Sequence, residues 1–184
     1  MNSMKKLLII VDEQVDFTSG VLGNAECEAT VQAAVDVINE NAYDEIYLTR
    51  DTHQENYLDT QEGRNLPVKH CIENTDGWQI RPEIMEAVQH NYASEKVHII
   101  DKPSFGSLDL ANLLRDRYSA QQAEVEITLI GVCTGICVIS NSMLMKAALP
   151  EARITIIEKA CACVTPESHK IAIEAMKLCQ INVI

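Results

Sequence analysis

The chain has 184 residues, 47% of them hydrophobic, and a formal net charge of −12. That length suits one domain with a sizeable core, so residues 1–184 are expected to form a single unit. The acidity and the absence of any clustered Lys/Arg run exclude a phosphate-gripping nucleic-acid surface and docking on an anionic membrane.

No apolar run reaches the length of a membrane span. The opening stretch, MNSMKKLLIIVDEQVDF, superficially resembles a signal peptide. Its apolar part is short, and acidic residues follow where a small-residue cleavage site would stand. It reads as a first buried strand of a cytosolic protein. Seven cysteines is an odd number, and their spacings lack a zinc-ribbon pattern. Reduced thiols suit this pattern better than a disulfide framework, most of them small core residues.

Taken in order, strands are predicted at Lys6–Val11, Glu45–Thr49, Lys96–Ile100, Glu126–Ile130, Arg153–Ile157 and Gln180–Ile184. Helices are predicted at Cys27–Asn41, Pro82–His90, Ser107–Tyr118, Ile136–Leu149 and Glu167–Leu178. In the first helix Val31, Ala34, Val35 and Ile38 fall on one face. The alternation implies an α/β fold with a parallel sheet covered on both sides. Continuous runs such as LLIIV suit strands buried on both faces. The irregular stretch from Asp51 to Arg81 is long enough to suggest a functional loop.

Ligands of open parallel sheets bind beyond the carboxyl ends of the strands. The residues there are Asp12, Asp51, Asp101 and Lys102, Gly131 to Cys133, and Glu158 with Lys159. The segment Gly131-Val-Cys-Thr-Gly-Ile-Cys137-Val joins a strand to a helix, where exposed N–H groups stabilise a thiolate or an oxyanion. A pair of inert core cysteines would fit the segment equally well. Asp12 could be a turn residue and Lys102 a solvated one. Together with Cys137 they make a unit: a carboxylate to take the thiol proton and an ammonium to lower both acids' pKa values. Asp51, His53 and His70 offer one carboxylate and two imidazoles on one loop, a set that can hold a divalent transition metal. Asp59 could add a ligand. Cys71 adjoins His70 and is excluded, because neighbouring residues rarely face one point. His90, His98 and His169 read as ordinary residues.

In this order, Asp12-x-Gln-x-Asp-Phe17, Arg50-Asp51-x-His53, Pro67-x-x-His70-Cys71, Gly77 before Pro82-Glu83, Lys102 and the Cys133/Cys137 segment resemble the nicotinamidase branch of the isochorismatase-like hydrolases. The resemblance spans about residues 6–165. It implies a three-layer sandwich with a six-stranded parallel sheet, and a triad of Asp12, Lys102 and the nucleophile Cys137. It further implies an oxyanion hole from the backbone N–H groups of Cys133 and Cys137, and a cis peptide at Val132–Cys133. By the same resemblance Asp51, His53 and His70 hold a divalent metal, zinc in many members, which orients the pyridine nitrogen of nicotinamide. Phe17 would flank the ring. The implied partners are a small amide substrate and further copies of the chain, since relatives are often homo-oligomers.

Three departures bear on the pocket. Thr134-Gly135 stands where Thr-Asp is frequent, and Leu66-Pro67 replaces an aromatic wall. The segment after Lys102 is short, leaving Phe105 to supply an aromatic face. A sister hydrolase of another small amide or carbamoyl compound is the alternative, and a noncatalytic family member a more distant one.

Overall fold

A computed structural model describes residues 4–184; residues 1–3 of the opening stretch lie outside it. Six strands, β1 (Lys5–Val11), β2 (Glu45–Asp51), β3 (Val97–Lys102), β4 (Val125–Val132), β5 (Arg153–Ala162) and β6 (Asn182–Val183), form one sheet in the order β3-β2-β1-β4-β5-β6. Every pairing is parallel. Among the described residues seven α-helices accompany them: α1 (Val15–Thr18), α2 (Ala25–Asn39), α3 (Gln61–Asn65), α4 (Pro82–Asn91), α5 (Leu108–Tyr118), α6 (Ile139–Ala148) and α7 (Pro166–Leu178).

Strand periodicity divides the core in two. Leu7, Ile9 and Val11 of β1, with Ile127 and Leu129 of β4, pack on one face against Leu110, Leu114, Met145, Ile173 and Met176. Leu8 and Ile10, with Ile46 and Leu48 of β2, pack on the other against Val31, Ala34, Ile38, Ile84 and Val88. Successive residues point to opposite faces, so an unbroken apolar run feeds both layers. Helices α5, α6 and α7 therefore cover one side, and α2 and α4 the other.

Local signals set the helix starts. Asn24 caps α2 by accepting from the Cys27 N–H at 2.8 Å. Ser107 caps α5 through the Leu110 N–H at 3.1 Å. Thr165 and Ser168 close a reciprocal capping box on α7, with Pro166 in its first turn.

Two expectations need correction. Strand β5 runs to Ala162, so Glu158 and Lys159 are not at its end. From Leu129 to Gly131 on β4, the β5 partners advance from Ile156 to Cys161. Glu158 and Lys159 belong to the extra residues of that irregularity, which is why two exposed charges interrupt the apolar run. The helix expected from Ile136 instead opens with a π-helical turn, Thr134–Val138, whose Val138 N–H reaches the Cys133 carbonyl at 3.1 Å. No helix among the described residues is long and apolar enough to cross a membrane.

The chain leaves β1 for β2 on one side and finds β4 on its other side. This reversal opens a crevice beyond the carboxyl ends of β1 and β4. The two strands approach very closely there. A Cβ on Gly131 (φ +118°) would lie 2.1 Å from the Val11 carbonyl oxygen, so only glycine fits.

Candidate active site

Asp12 follows β1 with φ +50°, a conformation uncommon outside glycine, and its carboxyl group is fully buried. Thr49 of β2 donates its hydroxyl to Asp12 Oδ1 at 2.6 Å. Lys102, the last residue of β3, places Nζ 2.7 Å from Asp12 Oδ2. The same ammonium donates to the Ser104 carbonyl at 2.9 Å and to Cys137 Sγ at 3.8 Å. It also lies 3.5 Å from Asp51 Oδ1. The three groups expected to act together thus lie in one dry cluster, contributed by the ends of β1, β3 and the π-helical turn.

The electrostatics differ from the sequence expectation in one respect. Lys102 and the helix start were expected to lower the Cys137 thiol. Burial and the adjacent Asp12 instead push it well above its ordinary value, with Lys102 opposing. The thiol therefore rests protonated. Asp12 is also raised, first by burial and further by Asp51, against the pull of Lys102. A carboxylate with increased proton affinity is better suited to accept the thiol proton. Burial works to discharge Lys102, but the charges of Asp12, Cys137 and Asp51 outweigh it and keep the ammonium intact.

Beside this cluster, Asp51, His53, Glu62 and His70 bring one ligand atom each within 4.8 Å of the others. His53 Nε2 lies 2.9 Å from Asp51 Oδ2 and 3.6 Å from Glu62 Oε1. His70 Nε2 lies 3.5 Å from Asp51 Oδ2 and 3.7 Å from Glu62 Oε1. With metal–ligand bonds of about 2.0–2.2 Å, a tetrahedral shell has ligand separations near these values. His70 Nδ1 donates to the Val68 carbonyl at 2.8 Å, which leaves Nε2 as the free donor atom. The set of two imidazoles and two carboxylates fits a divalent transition metal. Burial works to raise the Asp51 carboxyl, yet hydrogen bonds from His53 and His70 and the charge of Lys102 prevail and hold it below the carboxylate range.

Asp59, the expected additional ligand, is not in this group. It closes a short helical turn, Tyr57–Asp59. Thr60 then caps α3 through the Gly63 N–H at 3.0 Å, and the first turn of that helix carries Glu62 to the two histidines. Nothing in the residue order distinguishes Glu62 from its acidic neighbours, because the selection is made by a helix of only five residues.

Other side chains fix the loop. Gln14 accepts from the Asp51 N–H at 2.7 Å and donates to the carbonyls of Asp51 and Trp78 at 2.9 and 2.8 Å. Asp16 accepts from the Cys71 N–H at 2.8 Å, and Gly77 is required beside it because a Cβ there would meet the Asp16 carboxylate at 2.2 Å. Asn141 of α6 donates to the Cys137 carbonyl at 2.8 Å and the Phe105 carbonyl at 3.2 Å, and accepts from the Ser107 N–H at 3.0 Å. His169, expected to be ordinary, bonds Thr134 Oγ1 through Nδ1 at 2.8 Å and so buttresses the π-helical turn.

A cavity of about 200 Å³ lies over the cluster, with Phe17, Leu66, His70, Phe105, Cys133 and Cys137 in its wall. Phe17 is buried and its ring lies 5.4 Å from that of His70; Phe105 is 43% exposed at the mouth. The Val132–Cys133 peptide is cis, at the position the resemblance implied.

Residues 6–184 match the isochorismatase domain family model. An uncharacterized isochorismatase family protein, PncA of Bacillus subtilis, is 30% identical over 176 residues, covering 90% of this chain and 91% of that protein. Among solved structures, the nicotinamidase/pyrazinamidase PncA of B. subtilis superposes with a TM-score of 0.82 at 24% identity, covering 98% and 99% of the two chains. The pyrazinamidase of Pyrococcus horikoshii in complex with zinc superposes with a TM-score of 0.76 at 25% identity, covering 98% of each.

Proposed function

The chain belongs to the isochorismatase family, and from that premise we propose that it is a metal-containing cysteine amidase that hydrolyses nicotinamide, or a close small amide, to the acid and ammonia. The observation that carries the reading is the cluster of Asp12, Lys102 and Cys137, whose Cys137 opens on a small, largely apolar cavity that Asp51, Glu62 and His70 of the metal-type ligand set also line.

In this reading the substrate ring lies against Phe17, with Phe105 covering it from the mouth. Cys137 Sγ attacks the amide carbonyl while its proton passes to Asp12. The transfer accompanies attack because the resting thiol is protonated. The backbone N–H groups of Cys133 and Cys137 receive the oxyanion. Asp12 returns the proton to the departing amine, leaving a thioester on Cys137, and then takes a proton from the water that hydrolyses it. Lys102 keeps the carboxylate ionised and oriented through the cycle. When bound at Asp51, His53, Glu62 and His70, a divalent ion such as zinc would supply a Lewis-acidic anchor for a heteroaromatic nitrogen.

The test is ammonia release from nicotinamide, pyrazinamide and a panel of aliphatic amides and carbamoyl compounds, with Cys137→Ala as control. Release from the heteroaromatic amides that the control lacks supports the reading. Release confined to carbamoyl or aliphatic substrates would transfer the protein to a sister activity.

A further inference from the structure

The segment that carries Cys133 and Cys137 is held from two helices. Asn141 of α6 secures its far end through the Cys137 carbonyl at 2.8 Å. Its near end is Thr134, which directly follows Cys133 and opens the π-helical turn; the Thr134 carbonyl accepts from the Ile139 N–H. Thr134 is fully buried, and its hydroxyl meets Nδ1 of His169 on α7 at 2.8 Å. No second hydrogen-bond partner stands beside that hydroxyl among the described residues.

The imidazole is itself held. Glu158 Oε1 lies 3.5 Å from its Nε2. A carboxylate there favours the proton on Nε2, which leaves Nδ1 to accept from the Thr134 hydroxyl. Glu158 is among the extra residues of β5 at the irregularity with β4, a device that re-aims side chains beside active sites. The backbone of α7 is close as well: a Cβ built on Gly135 would touch Ala172 Cβ at 3.4 Å. The capping box of Thr165 and Ser168 fixes the start of that helix, and the His169 N–H bonds the Thr165 carbonyl at 3.0 Å. His169 does not border the substrate cavity. It lines instead a surface cavity of about 330 Å³ between α2 and α7.

We propose that His169 is a positioning residue: through Thr134 it fixes the turn that presents the Cys137 thiol and the Cys133 N–H, without touching the substrate. Its effect on rate rests on the amidase reading above; the tie to the turn does not.

The expected effect follows from what the tie holds. Without the imidazole, the buried Thr134 hydroxyl loses its partner and must turn away or draw in water. Thr134 shares a peptide bond with Cys133, so the N–H assigned to the oxyanion shifts with it. A displacement of about 1 Å at a reacting centre costs on the order of 10²-fold in rate. The oxyanion forms only as the reaction proceeds, so the loss falls on kcat and leaves KM little changed.

The experiment compares the full-length wild type with His169→Ala and His169→Asn on an amide that the wild type hydrolyses. His169→Ala should lower kcat by as much as about 10²-fold per folded molecule, with KM little changed. Asn places a polar atom where Nδ1 stands and should recover most of the rate. Added imidazole should also raise kcat of His169→Ala, because the vacated space opens on the surface cavity, and should leave wild type unaffected. Should His169→Ala fail to fold, Thr134→Val removes the hydroxyl at nearly constant shape and should show the same loss with no response to imidazole. Hydrogen-exchange mass spectrometry of residues 133–138, read without substrate, should show faster exchange in His169→Ala and slower exchange again with imidazole. Full kcat in His169→Ala, a loss confined to KM, or a loss that neither Asn nor imidazole repairs would overturn the proposal. If the wild type hydrolyses no amide, the amidase reading fails by itself. The exchange measurement then decides the tie: unchanged exchange in His169→Ala would refute it, and faster exchange would uphold it.

Discussion

At the residue scale the reaction depends on where one proton rests. Burial and Asp12 keep it on Cys137. Iodoacetamide should therefore label Cys137 slowly at neutral pH, with the rate climbing above the ordinary thiol value of 9. Lys102→Ala removes the one charge that opposes this and should move the profile still higher. Asp12→Asn keeps the thiol but loses its acceptor, and turnover should fall by about 10²–10⁴-fold. Labelling of Cys137 complete at neutral pH would contradict the geometry. Glu13, next in sequence, gives a separate signature. It is buried against Thr30, and burial, reinforced by Cys27 and Asp12 against Thr30 and Arg81, raises its carboxyl to about 8. A raised carboxyl binds its proton more tightly in the fold than in the unfolded chain. The stability it confers is complete below about 4.5 and is lost as pH rises through about 8. Glu13→Gln keeps the acceptor for Thr30 and cannot ionise. Melting curves of the two proteins should coincide at pH 4 and diverge up to pH 9, with the variant the more stable. Parallel curves would refute the assignment.

Elements show what can be read from residue order and what cannot. Runs such as LLIIV in β1 and EITLI in β4 were legible because a strand covered on both faces is largely apolar along its length. The amphipathic helices were legible from one-face apolar spacing, as with Val31, Ala34, Val35 and Ile38 of α2, while the caps Asn24, Ser107 and Thr165 that fix their starts emerge only in the fold. Asp12, Asp51, Lys102 and Cys137 could be gathered at one edge because parallel strands end on one side. The end of β5 was not legible, since Glu158 and Lys159 resemble a loop until pairing with β4 carries the strand past them. Helix α1 and the Glu62 turn were too short for any periodicity. Asn141 was equally hidden. It occupies an ordinary helical position, and its role depends on the Phe105–Ser107 loop folding back over α6. Replacing it with Ala strands the Ser107 N–H and the Cys137 carbonyl, which should cost about 1–3 kcal/mol for each buried group left unpaired. Urea titration should show that loss. Turnover should fall in addition, with the rate constant affected more than KM, because the π-helical turn loses its tie. A variant destabilised yet fully active per folded molecule would show that Asn141 serves the core alone.

On the scale of the whole molecule, the sheet order places β1 between β2 and β4, from which the parallel sheet extends to its two opposite edges, and the crevice there draws on both halves. Asp51 ends β2 and His53 follows it, while Glu62 and His70 lie farther along the loop that returns to α4, so the ligand set ties the loop to the sheet edge. An ion that binds only the folded chain stabilises it by mass action, by about 2.7 kcal/mol at a free concentration 100 times its Kd. For a domain of this size each kcal/mol raises Tm by about 2–4 °C, so saturating zinc should raise Tm by roughly 5–10 °C. A chelator should reverse the shift. His53→Ala and His70→Ala should each lose most of it. Glu62→Gln should weaken zinc affinity, read by competition with a chromogenic chelator, whereas Asp59→Ala should behave as wild type. Because this measurement requires no substrate, it examines the ligand set independently of the proposed reaction. An Asp59→Ala protein that loses the thermal shift while Glu62→Gln retains it would place the fourth ligand where the sequence first suggested and remove Glu62 from the site.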